Sequence, residues 1–348
     1  MMFDNDNKKD ITDSFRVLES KLDDKFIHSG LVGDNFPISS INFDKKCLIS
    51  FCGNNTRDPM RAKFYTYCYY NWLGEYPERD EITTYAFYYP KDQPLFNNFT
   101  PDLSFDYDSL ADNLFGNLIT GNKDNIKAIT DKLDNVVFTG HSAGGLVMNN
   151  LMYGLDKLLR EHNFSESDIL TIYDHIVFIA YSPFELVDMP IKAIYIAPIH
   201  DTLGSTKLVY DKMLQYNDII SSNPTVNFLQ QPLPDTDYYY EFSTLYKQAI
   251  NNAETTYFAN KNLFIATPNL LLKGDPTSPF LDDHAISVVS RDSGPEKTKA
   301  GLQTSKDIKI IFKYVYSTQR SKFSTKELYV IITQPEKQYN ENTIRNLL

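Results

Sequence analysis

Six short apolar runs, rich in β-branched and aromatic residues, punctuate this chain. They are CLISF (Cys47–Phe51), TTYAFYYP (83–90), VVFTG (136–140), HIVFIAYSP around 176–180, IKAIYIAP around 192–197, and NLFIAT (Asn262–Thr267). Runs of that length with no polar alternation suit strands buried on both faces. Segments with helical spacing fall between several of them. One covers residues 61–73. A second opens at DSLADNLFGNLI, with Asp108 or Ser109 as its cap, and a third covers 124–133. After residue 144, Leu146, Val147, Leu151, Met152, Leu155, Leu158 and Leu159 recur near the helical period. Strands alternating with helices call for a mostly parallel sheet covered on both faces. The rhythm breaks over residues 202–261, which contain QQPLPDTDYYYEF and read as an insertion. The pattern of IKIIFKYVY near the C-terminus fits helix or strand equally.

With 348 residues, the chain can bury one large α/β core or two smaller ones. We read residues 1–348 as a single domain carrying 202–261 as a lid or cap insertion. The formal net charge of -11 argues against a nucleic-acid partner. The cysteines, Cys47, Cys52 and Cys68, offer neither a disulfide framework nor a metal-knuckle spacing. MMFDNDNKKDITDSF lacks the apolar run of a secretory signal, and no later stretch reaches membrane-spanning length. The expectation is a soluble chain made in the cytosol, with no integral membrane segment. Signal-independent export or delivery to another cell stays open, as does the oligomeric state.

The chemistry concentrates at VVFTGHSAGGLVMNN (136–150), where GHSAG fits G-x-S-x-G. Five positions with three fixed carry little alone, but the motif follows an expected strand and opens an expected helix. A serine at such a bend, in a strained backbone conformation, projects its hydroxyl above the sheet. Small neighbours at Gly140 and Gly144 let strand and helix approach closely. The Ala143 N–H, at the helix N-terminus, then points toward a developing oxyanion. A plain helix-capping serine, worth about 1 kcal/mol, would leave the paired glycines unexplained.

Gly140, His141, Ser142, Ala143, Gly144 and Gly145 together resemble the G-H-S-x-G-G form of this bend found in α/β-hydrolases, among esterases, lipases and thioesterases. The resemblance spans about residues 47–284 by strand order as well as motif. It implies a three-layer α/β-hydrolase fold with a mostly parallel central sheet. It also implies a chain order of serine, acid, histidine. Of the histidines after Ser142, His284 in SPFLDDHAISVVS is best placed as base. His162 lies in a polar stretch, His175 opens a strand, and His200 adjoins the favoured acid. That acid is Asp201, just beyond a strand two after the serine strand; Asp275, Asp282 and Asp283 are its rivals. His141 receives a supporting role against the sheet.

A second oxyanion donor is expected from the loop after an early strand, here Gly53 or Asn54 in LISFCGNNTRDP, although the family's H-G pattern is absent. Arg57 is positioned to meet an anionic part of a substrate, unless Asp58 or another surface acid pairs with it. Tyr239 and Phe242 of the insertion are candidates for an acyl-binding surface. The implied function is a serine hydrolase cleaving carboxylic esters, lipid or other acyl esters, through an acyl-enzyme and with no metal or organic cofactor. A thioesterase or amidase would use the same residues. A non-catalytic binding protein on the same scaffold is the alternative of another class.

Overall fold

Residues 9–10, 16–21, 36–54, 56, 58–73, 76, 78–88, 96–97, 100–101, 105–198, 262–267, 299–323 and 328 are described by a computed structural model. Seven strands of these residues form one sheet: β1 (Arg16–Lys21), β2 (Cys47–Phe51), β3 (Thr83–Tyr88), β4 (Val136–His141), β5 (Val177–Tyr181), β6 (Lys192–Pro198) and β7 (Asn262–Thr267). Their order is β7-β6-β5-β4-β2-β3-β1. Every neighbouring pair is parallel except β1 and β3, where Val17 lies opposite Phe87 and Leu18 opposite Ala86 in an antiparallel ladder. This mostly parallel, partly antiparallel order resembles the α/β-hydrolase topology.

The helices are α1 (Pro59–Leu73), α2 (Tyr107–Thr120), α3 (Ile126–Leu133), α4 (Gly144–Glu161), α5 (Glu166–Asp174) and α6 (Lys299–Ser317). They make three layers because successive strand residues point to opposite faces. On β4, Phe138 packs against Phe115 of α2, with ring centroids 6.1 Å apart. The next residue, Thr139, faces a gap lined by Trp72 of α1 and by Ile308 and Phe312 of α6. Trp72 and Phe312 close that second face, 5.7 Å apart. All five residues of β2 and β5 and all six of β4 are buried, as double-sided coverage demands. Phe51, Phe87, Phe115, Phe138, Phe178, Tyr195 and Phe312 are the largest side chains wholly out of water, each worth about 2–3 kcal/mol of apolar burial.

Several boundaries differ from the sequence reading. Asp108 and Ser109 do not cap α2; the helix begins at Tyr107, so both lie in its first turn. The third helix starts at Ile126, capped by the Asn125 side chain, which accepts from the Ala128 N–H at 3.1 Å. The short helix α5, closed at its start by a Ser165–Asp168 capping box, and the edge strand β1 had no counterpart in that reading. IKIIFKYVY resolves as helix, because Ile308, Ile311, Phe312, Val315 and Tyr316 are the buried set. Their spacing is one helical stripe. Cys47, Cys52 and Cys68 are buried thiols outside any disulfide. Among the described residues, no helix is long and apolar enough to cross a membrane. The 202–261 insertion lies outside the described residues.

Candidate active site

The parallel strands bring the ends of β2, β4 and β5 together at one edge of the sheet. Ser142 leaves β4 with φ of 55° and is followed by Ala143, from which α4 starts at Gly144. A left-handed backbone costs an L-residue other than glycine roughly 1–2 kcal/mol. The neighbouring chain holds it in place. The Ser142 N–H donates to the Tyr181 carbonyl at 3.2 Å. The Ser142 carbonyl accepts from the amides of Gly145 at 3.1 Å and Phe184 at 3.0 Å.

Two glycines permit this turn sterically. A Cβ on Gly144 would lie 2.2 Å from the Phe51 carbonyl oxygen, and one on Gly145 would lie 2.4 Å from the Glu185 carbonyl oxygen. The start of α4 is thus wedged between the end of β2 and the loop after β5. Ser142 keeps 5% of its surface and Ala143 none. The Ala143 N–H stands at the N-cap of α4. It sits at the positive end of an 18-residue helix, a place that favours negative charge.

The loop after β2 adjoins His141 at Gly53. The Cys52 N–H donates to the Phe87 carbonyl at 3.0 Å, and the Thr56 N–H to the Gly53 carbonyl at 2.9 Å. Of the two loop amides expected as donors, that of Gly53 is already engaged, donating to the Tyr65 hydroxyl at 2.9 Å. The side-chain oxygen Oδ1 of Asn54 is buried without a partner among the described residues. Burial pushes the Cys52 thiol far above its ordinary pKa, which fits a packing role rather than a nucleophile.

The His141 ring lies between Tyr65 and Tyr181. Its Nδ1 lies 2.7 Å from the Tyr65 hydroxyl, and its ring stacks on Tyr181 with centroids 6.0 Å apart. His175 sits at the other edge of the sheet, with Nδ1 2.6 Å from the Asp134 carboxylate. His162 ends α4 as its C-cap. Asp58, the rival partner considered for Arg57, is bonded to Arg61 through its backbone amide at 2.9 Å and pairs with its Nε at 3.5 Å.

Ser142 and Ala143 follow β4, and Gly53 and Asn54 follow the neighbouring strand β2. Asp201, His284, Arg57, Tyr239 and Phe242, with the alternatives His200, Asp275, Asp282 and Asp283, lie outside the described residues. Sequence reasoning missed two features of this edge. One is Tyr65, whose partners stand 12 and 76 residues away. The other is Ser182, which leaves β5 with φ of 47°, is wholly buried, and has an Oγ without a partner among the described residues. A Ser-Pro pair after a strand was the only local signal for it.

No protein-family model matches the chain, and no curated protein matches it in sequence.

Proposed function

We propose that this chain is an α/β-hydrolase that cleaves carboxylic esters through an acyl-enzyme on Ser142. One observation carries the reading: a serine in the left-handed region at the turn from a buried central strand into a helix. That is the backbone a nucleophile elbow needs, and strain of this kind gathers where function requires it. The sheet order, and the two glycines that admit the helix to the end of β2, support the same reading.

In the proposed reaction, His284 takes the Ser142 proton as Oγ adds to the ester carbonyl, while Asp201 orients the imidazole. The amides of Ala143 and Asn54 hold the oxyanion. The carbon–oxygen bond to the alcohol then breaks, and His284 returns the proton to the departing oxygen. Water, deprotonated by His284, attacks the acyl-serine and releases the acid and the free serine. Arg57, Tyr239 and Phe242 are assigned to substrate contact, with a lipid or other acyl ester as the substrate class.

The experiment is turnover of p-nitrophenyl esters by the full chain and by Ser142→Ala. The expected result is a loss of at least ~1,000-fold on removal of the hydroxyl. Turnover retained in Ser142→Ala would overturn the reading; no turnover by the full chain would leave a binding protein on a hydrolase-like scaffold.

A further inference from the structure

The acyl-transfer scheme makes no use of the buried group formed by Tyr65, His141, Gly53 and Thr56. The Tyr65 hydroxyl accepts from the Gly53 N–H at 2.9 Å and, more weakly, from Thr56 Oγ1 at 3.4 Å. It lies 2.7 Å from His141 Nδ1. A phenol has one proton to give and two lone pairs to receive. The phenol and His141 Nδ1 share one proton across their 2.7 Å bond, and which of them donates follows the imidazole tautomer. Tyr65 is 5% exposed and His141 7%, so neither can readily exchange these bonds for water.

What the phenol connects gives the group its interest. His141 is joined by a peptide bond to Ser142, and Gly53 by a peptide bond to Asn54. One side chain from α1 therefore ties the residue before the proposed nucleophile to the residue before the proposed second oxyanion donor. The fit leaves no slack: a Cβ on Gly53 would fall 2.8 Å from His141 Nδ1 and 3.0 Å from the Tyr65 oxygen.

We propose that Tyr65 and His141 are positioning residues that fix the Gly53 peptide so that the Asn54 N–H is held ready for the oxyanion formed at Ser142. The inference rests on the acyl-transfer reading. It assigns the engaged Gly53 amide a purpose: that N–H anchors the loop and leaves its neighbour to serve the transition state. Preorganised donors of this kind act on the rate of the chemical step and little on ground-state binding.

The test uses full-length protein, p-nitrophenyl acetate, and a trifluoromethyl ketone, whose serine adduct carries the same oxyanion. Tyr65→Phe is expected to lower kcat roughly 10–100-fold with KM within about threefold, and to weaken the ketone by a similar factor. Exchange of the Gly53 amide hydrogen with solvent is expected to accelerate in the same variant. His141→Asn, which keeps a hydrogen-bonding atom one bond beyond Cγ, is expected to hold kcat within about fivefold of wild type, whereas His141→Leu behaves like Tyr65→Phe. Residues acting as one unit are non-additive, so the Tyr65→Phe/His141→Leu pair should lose about as much as either alone. If Tyr65→Phe keeps kcat within about twofold while Ser142→Ala is inactive, the positioning role falls and the acyl-transfer reading stands. Equal losses in His141→Asn and His141→Leu, tracking a fall in melting temperature, would likewise reduce the group to packing. If Ser142→Ala retains wild-type turnover, both readings fall together.

Discussion

At the edge where the strands begin, Lys192 enters β6 with its ammonium on three acceptors: the Asp174 carbonyl at 2.6 Å, the Arg320 carbonyl at 2.9 Å and the Asp174 carboxylate at 3.1 Å. Beside it the Arg320 guanidinium donates to the carbonyls of Val315 at 2.7 Å and Val136 at 3.1 Å, and His175 meets Asp134. At the edge where the strands end, Ser142 and Ser182 turn out of adjacent strands in left-handed conformations. There the Ser182 hydroxyl and the Asn54 side-chain oxygen are buried without partners among the described residues. The first edge spends its polar groups on joining α5, β4, β6 and the chain after α6. Buried polar atoms without partners among the described residues occur at both edges, Arg320 Nε at the first; what sets the second apart is backbone strain, which fold stability alone would select against. The third described residue with a positive φ shows what an ordinary case looks like. Asn163, at 62°, follows the C-cap of α4, with the Phe164 N–H closing back on the Leu159 carbonyl at 3.1 Å. Left-handed asparagine after a helix is a routine termination.

That contrast predicts changes of different kinds at the two edges. The largest is expected at Gly144. A methyl there meets backbone, not a side chain that can swing away, so Gly144→Ala should cost about 3 kcal/mol or more in chemical denaturation and abolish turnover. An unchanged denaturation midpoint would mean that α4 is not wedged against β2. Next comes Lys192→Met, which keeps the chain's bulk but leaves the buried Arg320 carbonyl and the part-buried Asp174 carbonyl short of a donor. A loss of about 2–3 kcal/mol is expected, with kcat per folded molecule unaltered. A fall in kcat would show that the two edges are not separable. The smallest change has the opposite sign. Ser182→Gly relieves a left-handed serine and removes a buried, unpaired hydroxyl, and should raise stability by about 1 kcal/mol. A destabilised variant would mean that the Ser182 hydroxyl has a partner in the folded protein.

The strands of the central sheet were legible because burial on both faces forces short, unbroken apolar runs, as in CLISF and VVFTG. Edge strand β1 was not, since Val17 and Leu18 are the apolar residues of RVLESK and its partners in β3 stand 62 to 72 residues away. The last helix was ambiguous for another reason: in IKIIFKYVY, apolar residues also occupy positions off the buried stripe, such as Ile310 and Tyr314, so period two and period 3.6 both fit. At the candidate site, Ser142 could be read because its constraints are local; the turn, the strand before it and the glycines after it are contiguous. Tyr65 could not, because a buried phenol in an aromatic helix looks like packing until the fold sets it against His141 and Gly53. Ser182 escaped for the same reason: its backbone conformation depends on the bond from its N–H to the Ile196 carbonyl at 2.8 Å.

The central claim is that the hydroxyl of Ser142 is a nucleophile. The most direct measurement is the mass of the full-length protein after reaction with a fluorophosphonate, followed by mapping of the modified peptide. One adduct per chain, on Ser142 and lost in Ser142→Ala, is the predicted result. An unmodified wild-type protein, or an adduct on another residue that persists in Ser142→Ala, would contradict it.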